Sequence, residues 1–470
     1  MGSSGRPISQ EAFDALVAEN ISDLFMDPEE ALEDAVQTLT LQGVHLSGIV
    51  KCVPGVNRVE DNPVMRSLGG LKKMSGRLEC SVLESSDIDE MVEFFDEICR
   101  LCSSGADNAS ILMKNGGIEL LVSFCGACCR EDRDTCHDGS ERILISALRA
   151  MSSVLRDFQS REAFWRGDGP KITMDILRSS DDPNLLDCGF SVVVAAATGN
   201  EIVKEAFVEL TIEELFLDIL RGQPKGAVPN LYDAIRVLLT PDDNRVAASQ
   251  VYGYARRFAK IGIADALLDA FHEGIGSSGL LSSCIALKAI AVNDEICRSI
   301  SSKGGIDVIL QCIDDSSVYN NKAVAKACCS LLSKLAGSDA NKNAIVQKNG
   351  LDRLIKLSSK FYDDPSVLQE IMSIISVLSL RSPENASRAL EAGAGDLAIQ
   401  AMQKFPAAYQ MQRQACYMIR NLVARNPENR TILLSNGIEK IIRRVKGSHE
   451  SCKEAATDAL RDIGLDDYNA

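Results

Sequence analysis

The chain has 470 residues, 46% hydrophobic and 25% charged, an ordinary globular balance that excludes a disordered or fibrous protein. Its 66 acidic against 50 basic residues give a net charge of −16 and a pI near 4.9, which leaves no basic footprint for nucleic acid. No run of about 18 uncharged apolar residues occurs, so no membrane-spanning helix is expected.

The opening Met1-Gly2-Ser3-Ser4-Gly5-Arg6 lacks the basic-then-apolar pattern of a secretion signal, and Arg6 stands where a myristoylation signal needs Ser or Thr. Ser9 to Phe25 then predicts one amphipathic helix, with Phe13, Leu16, Val17, Ile21 and Leu24 as its apolar face. Asp27-Pro28 opens a second helix, Asp as N-cap and Pro at the first helical position, running to about Gln42. Short amphipathic helices are marginal alone, so these two are expected to pack within the molecule. Val53 to Gly76 holds Pro54, Gly55, Pro63, Gly69, Gly70 and Gly76 and reads as a mobile linker. Helices resume near Asp87. The expected division is 1–52 as a helical extension, 53–80 as linker and 81–470 as a repeat array.

One short pattern recurs through the array. Gly116-Gly117-Ile118-Glu119-Leu120-Leu121 returns as Gly304-Gly305-Ile306, Asn349-Gly350-Leu351 and Asn436-Gly437-Ile438, each followed by further apolar residues at helical spacing. With looser copies the anchors fall at 117, 169, 211, 262, 305, 350, 393 and 437. A spacing of roughly 40–47 residues is the armadillo range, and the two longer gaps must hold insertions. One insertion is the loop Gly222 to Asn230, with more added between Arg245 and Arg257. Glycine ends one helix because a left-handed cap costs it nothing. Each repeat also holds a longer helix, such as Gln412 to Ala424, where Ala415, Met418, Ile419 and Leu422 share one face. The last helix, Cys452 to Ile463, carries enough charge to close the array. The expected fold is an all-α, right-handed superhelical armadillo-type solenoid of about eight or nine repeats behind an N-terminal helical extension.

The blocks Ile8-Ser9-Gln10-Glu11-Ala12-Phe13-Asp14, Glu19-Asn20-Ile21, Pro28-Glu29-Glu30-Ala31 and Gln42-Gly43-Val44, and later Gln414-Ala415-Cys416, Ile419-Arg420-Asn421-Leu422-Val423-Ala424 and Ala459-Leu460-Arg461-Asp462, carry a resemblance. The chain resembles the armadillo-repeat-containing protein 6 family over nearly its whole length. The resemblance implies an armadillo fold and no known enzymatic activity.

Armadillo arrays present their third helices along a groove, and nuclear-import adaptors line it with a Trp and, four residues on, an Asn. The amide clamps a peptide backbone and the indole attracts cationic stems. Here the corresponding pairs are Glu97/Leu101, Arg149/Ser153, Ile285/Ala289, Ser330/Lys334, Ser373/Val377 and Tyr417/Asn421, so one repeat of six fits. The sole tryptophan, Trp165, lies elsewhere. A transport-like adaptor for basic peptides is therefore the weaker alternative. Lys334, Tyr417, Arg420 and Asn421 remain as a candidate partner-binding patch.

The other alternative is a Cys/His zinc module at Cys125, Cys128, Cys129, Cys136 and His137, with Cys99 and Cys102 at the same C-x-x-C spacing. Spacing of three also simply places two thiols on one helix face, and buried core thiols are the preferred reading. His45, His137, His272 and His449 sit in no nucleophile–base motif, and no Gly-Lys-Ser/Thr follows any glycine pair. Asp242-Asp243 reads as a helix start. The expectation is a non-enzymatic scaffold for other proteins, cytoplasmic or nuclear. No catalytic residue, cofactor, metal or small-molecule ligand is expected, and no direct contact with nucleic acid or membrane.

Overall fold

The computed structural model describes residues 6–78, 84–129, 137–465 and 467. Among them are 28 α-helices and two strands of two residues each, an all-α armadillo-type solenoid. The chain divides into two compact units, Met1–Leu215 with Pro241–Ala247, and Phe216–Thr240 with Ala248–Ala470.

The first unit opens with β1 (Arg6–Pro7), α1 (Gln10–Ser22), α2 (Pro28–Leu41) and β2 (Val44–His45). Ser9 and Asp27 cap the two helices through their side chains, as their sequence positions predict. The strands pair in parallel, Arg6 with Val44 and Pro7 with His45. Phe13 and Val17 of α1 are fully buried against Ala31, Ala35, Leu39 and Ile49. The predicted face is correct except at its end, where α1 stops at Ser22 and leaves Leu24 61% exposed. The extension also touches the array: Lys114 donates to the Ser47 carbonyl at 2.6 Å.

The expected linker is different. Residues 63–78 form α3 (Pro63–Leu78), with Val64, Leu68, Leu71 and Met74 buried. Gly70 is tolerated there for a reason invisible in composition: an added Cβ would come within 2.4 Å of the Phe94 ring. A glycine that reads as flexibility is a close helix contact.

Next come α4 (Ser85–Ser104) and the repeats. These are α5 (Ala106–Lys114), α6 (Gly117–Cys128) and α7 (His137–Val154), then α8 (Phe158–Arg166), α9 (Gly169–Arg178) and α10 (Pro183–Ala197). Then α11 (Glu201–Glu209) closes the first unit, the boundary falls inside α12 (Ile212–Gly222) after Leu215, and α13 (Pro229–Leu238) belongs to the second. Five further triplets or their parts follow the same order. They are α14 (Ser249–Ile261), α15 (Ile263–His272), α16 (Leu280–Ile290); α17 (Asp294–Ser302), α18 (Gly305–Val318), α19 (Lys322–Leu335); α20 (Asp339–Gln347), α21 (Gly350–Lys360), α22 (Pro365–Ser379); α23 (Pro383–Ala392), α24 (Ala394–Lys404), α25 (Tyr409–Val423); and α26 (Pro427–Ser435), α27 (Ile438–Ser448), α28 (Lys453–Ile463).

The turn between the first and second helix of each repeat is left-handed at 116, 168, 211, 262, 304, 349, 393 and 437. These are the sequence anchors or their immediate predecessors. Three of the eight are not glycine: Asp168, Thr211 and Asn349 hold φ of 59°, 55° and 57°. The better-defined requirement lies one residue on. A Cβ on Gly305 would meet Ile300 at 2.7 Å, and one on Gly350 would meet Ile345 at 2.6 Å. At 117, 169, 305 and 350 this position is glycine because the end of the preceding helix packs on it, while 212, 263 and 438 carry Ile.

Third helices carry the core. In α25 the predicted Ala415, Met418, Ile419 and Leu422 are fully buried, and so are Cys416 and Val423. That wide apolar face follows from packing between α22 and α28. Each fully buried Leu or Ile contributes about 1.5–3 kcal/mol. No single described helix is long and apolar enough to cross a membrane; α5 and α6 pass that test only as a pair, bent by 75°.

Candidate functional site

In the second unit α16, α19, α22 and α25 stack side by side, each packed on the next. Their charges are lopsided. Lys288, Lys322, Lys326, Lys334, Arg413 and Arg420 face a single acid, Glu370, within these four helices. The bias is local, because the whole chain is acidic. On α19 the residues Lys322, Lys326, Ser330 and Lys334 recur every fourth position and so run down one side of the helix.

Three of these cations are engaged, Arg420 by Asp458 and Asp462 of α28. Lys322 pairs with Asp364 at 3.1 Å, and Lys288 donates to the Ser330 hydroxyl at 2.7 Å. Lys334 is exposed and Lys326 half-buried, and among the described residues no carboxylate is paired with either. Between α16, α19 and α22 lies a depression of about 380 Å³, lined by Leu281, Cys284, Ile285, Lys288, Ala323, Lys326, Ala327, Ser330 and Glu370. Leu281 and Ile285 are 39% and 43% exposed there, one helical turn apart. Beneath them Cys284 and Cys328 approach at 3.8 Å between sulfurs. Hydrogen bonding to Cys284, together with burial and the neighbouring thiols, pushes the Cys328 thiol well above its ordinary range.

The candidate patch of Lys334, Tyr417, Arg420 and Asn421 is only partly assembled. Tyr417 is 37% exposed on α25. Arg420 is held by Asp458 at 2.9 Å and Asp462 at 2.8 Å, both on α28. The Asn421 amide donates to the Ser376 carbonyl and hydroxyl, each at 2.9 Å. Lys334 lies two helices away on α19, with α22 between. Arg420 and Asn421 thus tie three third helices together, and the exposed chemistry is left to Tyr417, Lys334 and the depression at Ile285. Counting back from the glycine anchors already reaches Ile285, Ser330 and Lys334. The missed signal was that α16 is apolar on two faces, Leu280, Cys284 and Leu287 inward and Leu281 and Ile285 outward.

Among the described cysteines of the cluster, Cys102 and Cys125 are buried, and Cys99, Cys128 and Cys129 are half-buried. Burial pushes the Cys102 thiol up to about 12 and the Cys129 thiol up to about 11, and Cys125 is raised well above its ordinary range by burial and by Cys128 and Cys129. Among the described residues no group of three or more His, Cys, Asp or Glu is placed to hold a metal. Cys136 and the His137 side chain lie outside the described residues.

Asp242-Asp243 does not start a helix; the next one begins at Ser249. Asp242 accepts from Lys204, which is fully buried and also donates to Glu201 at 2.8 Å. Asp243 accepts from the Glu201 backbone N–H at 3.2 Å and from Arg245 at 2.6 Å. The Arg245 guanidinium, with two backbone N–H groups, holds the Asp243 carboxyl far below the usual range against a smaller opposing effect of burial. Lys204 has no exposed surface, so this cluster is a joint between chain segments rather than a reaction site.

Residues 5–67 match the family model described as the Armadillo repeat-containing protein 6 N-terminal domain. Over 397 residues the chain is 27% identical to Armadillo repeat-containing protein 6 of Pongo abelii, covering 81% of this chain and 75% of that protein. The protein of the same name from Homo sapiens is 27% identical over 393 residues, with the same coverage. The homolog from Drosophila melanogaster is 23% identical, covering 82% of this chain and 80% of its own.

Proposed function

We propose that this chain, similar along four-fifths of its length to armadillo repeat-containing protein 6, is a non-enzymatic scaffold that receives a partner polypeptide on the third helices of its second unit. Armadillo-repeat proteins generally bind other proteins. The observation that carries the reading is the uncovered apolar surface at Leu281 and Ile285, on the helices that otherwise bury such residues. Exposed aliphatics ringed by polar groups mark interaction sites more often than chance exposure does.

A transport-like role with basic peptides is disfavoured by the same surface. Lys326 and Lys334, paired with no carboxylate among the described residues, repel lysine-rich segments, and Asn421, the one residue matching the adaptor pattern, spends its amide on Ser376. Cytoplasmic or nuclear residence belongs to the proposal, supported by the free thiols of the described cysteines.

The test is a photo-crosslinking amino acid placed at Ser330 or Tyr417 of the full chain in cells. A discrete adduct that disappears in the Ile285→Ser/Lys326→Glu variant supports the scaffold. No adduct at either position overturns it.

A further inference from the structure

We infer that the depression between α16, α19 and α22 takes an acidic, aliphatic-bearing segment of a partner protein. A Leu or Ile of the partner would sit on Leu281, Ile285 and Ala327, with its flanking carboxylates on Lys326 and Lys334. This deepens the scaffold reading and rests on it.

Three observations select that occupant. First, the floor is apolar and continuous: Leu281 and Ile285 from α16 meet Ala323 and Ala327 from α19. Water over those four side chains gains nothing, whereas an incoming aliphatic side chain gains roughly 25 cal/mol for each Å² it removes from solvent. A volume of about 380 Å³ admits a side chain or two and not a globular face.

Second, the charges around the floor have one dominant sign. Lys288 is turned onto Ser330 and Lys322 onto Asp364, while Lys326 and Lys334 remain for a visitor, with Arg413 further along on α25. Glu370 is the single opposing group on the rim. In a chain of net charge −16, long-range attraction favours basic partners; a local reversal of sign therefore discriminates by where a partner docks. An acidic segment is repelled by most of the surface and drawn to this strip.

Third, the cations on α19 are lysines spread along one side of the helix at 322, 326 and 334, not a converging set of arginines. Spaced point charges suit carboxylates distributed along a segment, whereas a single dense anion would be better served by a guanidinium fork.

A random-peptide phage library panned on the full chain, with counter-selection on the full-chain Ile285→Ser/Lys326→Glu variant, tests the inference. Peptides retained by the native chain should be net negative, carry Leu or Ile, and lose at least about tenfold in affinity on the variant, close to 1.4 kcal/mol. They should also weaken several-fold as salt rises from low to physiological strength. Lys326→Gln alone, which keeps the fold and size of the site, should give a smaller loss. The inference is overturned if the variant-sensitive peptides are basic, if they lack aliphatic residues, or if no selected peptide responds to the variant. A crosslink at Ser330 together with basic peptides would leave the scaffold standing and remove only this chemistry; absence of both removes the scaffold as well.

Discussion

The two compact units share one joining device, and the first unit departs from it at a single helix. Each repeat must fasten its first helix to the end of the preceding third helix, where backbone carbonyls have no partner of their own. In the second unit a buried asparagine does this three times. Asn341 donates to the Leu335 carbonyl at 3.0 Å, Asn385 to Leu378 at 3.2 Å and Asn429 to Leu422 at 2.8 Å. They stand 44 residues apart, 341 to 385 and 385 to 429, at the third position of α20, α23 and α26. In the first unit Asn108, third in α5, makes the same bond to the Leu101 carbonyl at 2.9 Å, but α11 carries Val203 at that position and the charged Lys204 next to it, buried with Glu201 and Asp242. Neutral amides satisfy carbonyls at modest gain and do not titrate. A buried charge is tolerated only while all its partners remain. Lys342 of the second unit is also buried, but its partner Asp339 is exposed to solvent, whereas the Lys204 partner Glu201 is buried with it, so the first unit's vulnerability lies at Lys204.

The largest effect that would break this comparison is expected at Lys204. Lys204→Met leaves Glu201 buried without a counter-charge and should cost roughly 3–5 kcal/mol. Hydrogen exchange in α11 reads it directly; unchanged protection there would mean the charge cluster is dispensable. Asn385→Ala should cost less, about 1–3 kcal/mol, because one carbonyl loses its donor. Urea unfolding should show the same loss at pH 5 and pH 8, since neither group titrates; a pH-dependent loss would contradict the contrast.

Asp364 makes an acid-sensitive joint in the second unit. Burial works to raise the Asp364 carboxyl, but hydrogen bonds from Ser366 and Lys322 and from the backbone N–H groups of Val367 and Ser366 outweigh it and bring it down to about 2. A carboxyl lowered on folding adds stability that is present above its ordinary value of 3.8 and is lost as pH falls through about 2. Asp364→Asn retains a capping oxygen yet should remove about 1–2 kcal/mol at neutral pH. The stability of the variant should also fall less steeply between pH 4 and 2, as followed by circular dichroism. The smallest effect is expected at Tyr417→Ala, within about 0.5 kcal/mol, because the ring is exposed and its neighbours Arg420 and Asn421 keep their own partners. A larger loss would show Tyr417 to be part of the packing rather than of the open surface.

Much of the fold was legible because its determinants are local. The caps Ser9, Asp27, Asp182 and Asp364, the prolines behind three of them, and the recurring small residues at 117, 305 and 350 act within a turn or two of their own position. The apolar face of Gln412 to Ala424 could be read from spacing alone, and so could the near-44-residue period. The helix at 63–78 could not: its glycines carry the composition of a linker, and Gly70 becomes a helix contact only once Phe94 is brought against it.

The site was decided by tertiary structure. Sequence nominated Arg420 and Asn421 for a partner, but α28 and α22 claim both. It offered Ile285 only as a missing tryptophan, whereas stacking leaves that side chain exposed beside Leu281 in a depression that Lys326 also lines. Periodicity states which residues a helix must bury, because burial is repeated in every turn. It does not state which of the remaining faces a neighbour will cover, because that depends on residues about 40 positions away whose approach only the packed repeats determine.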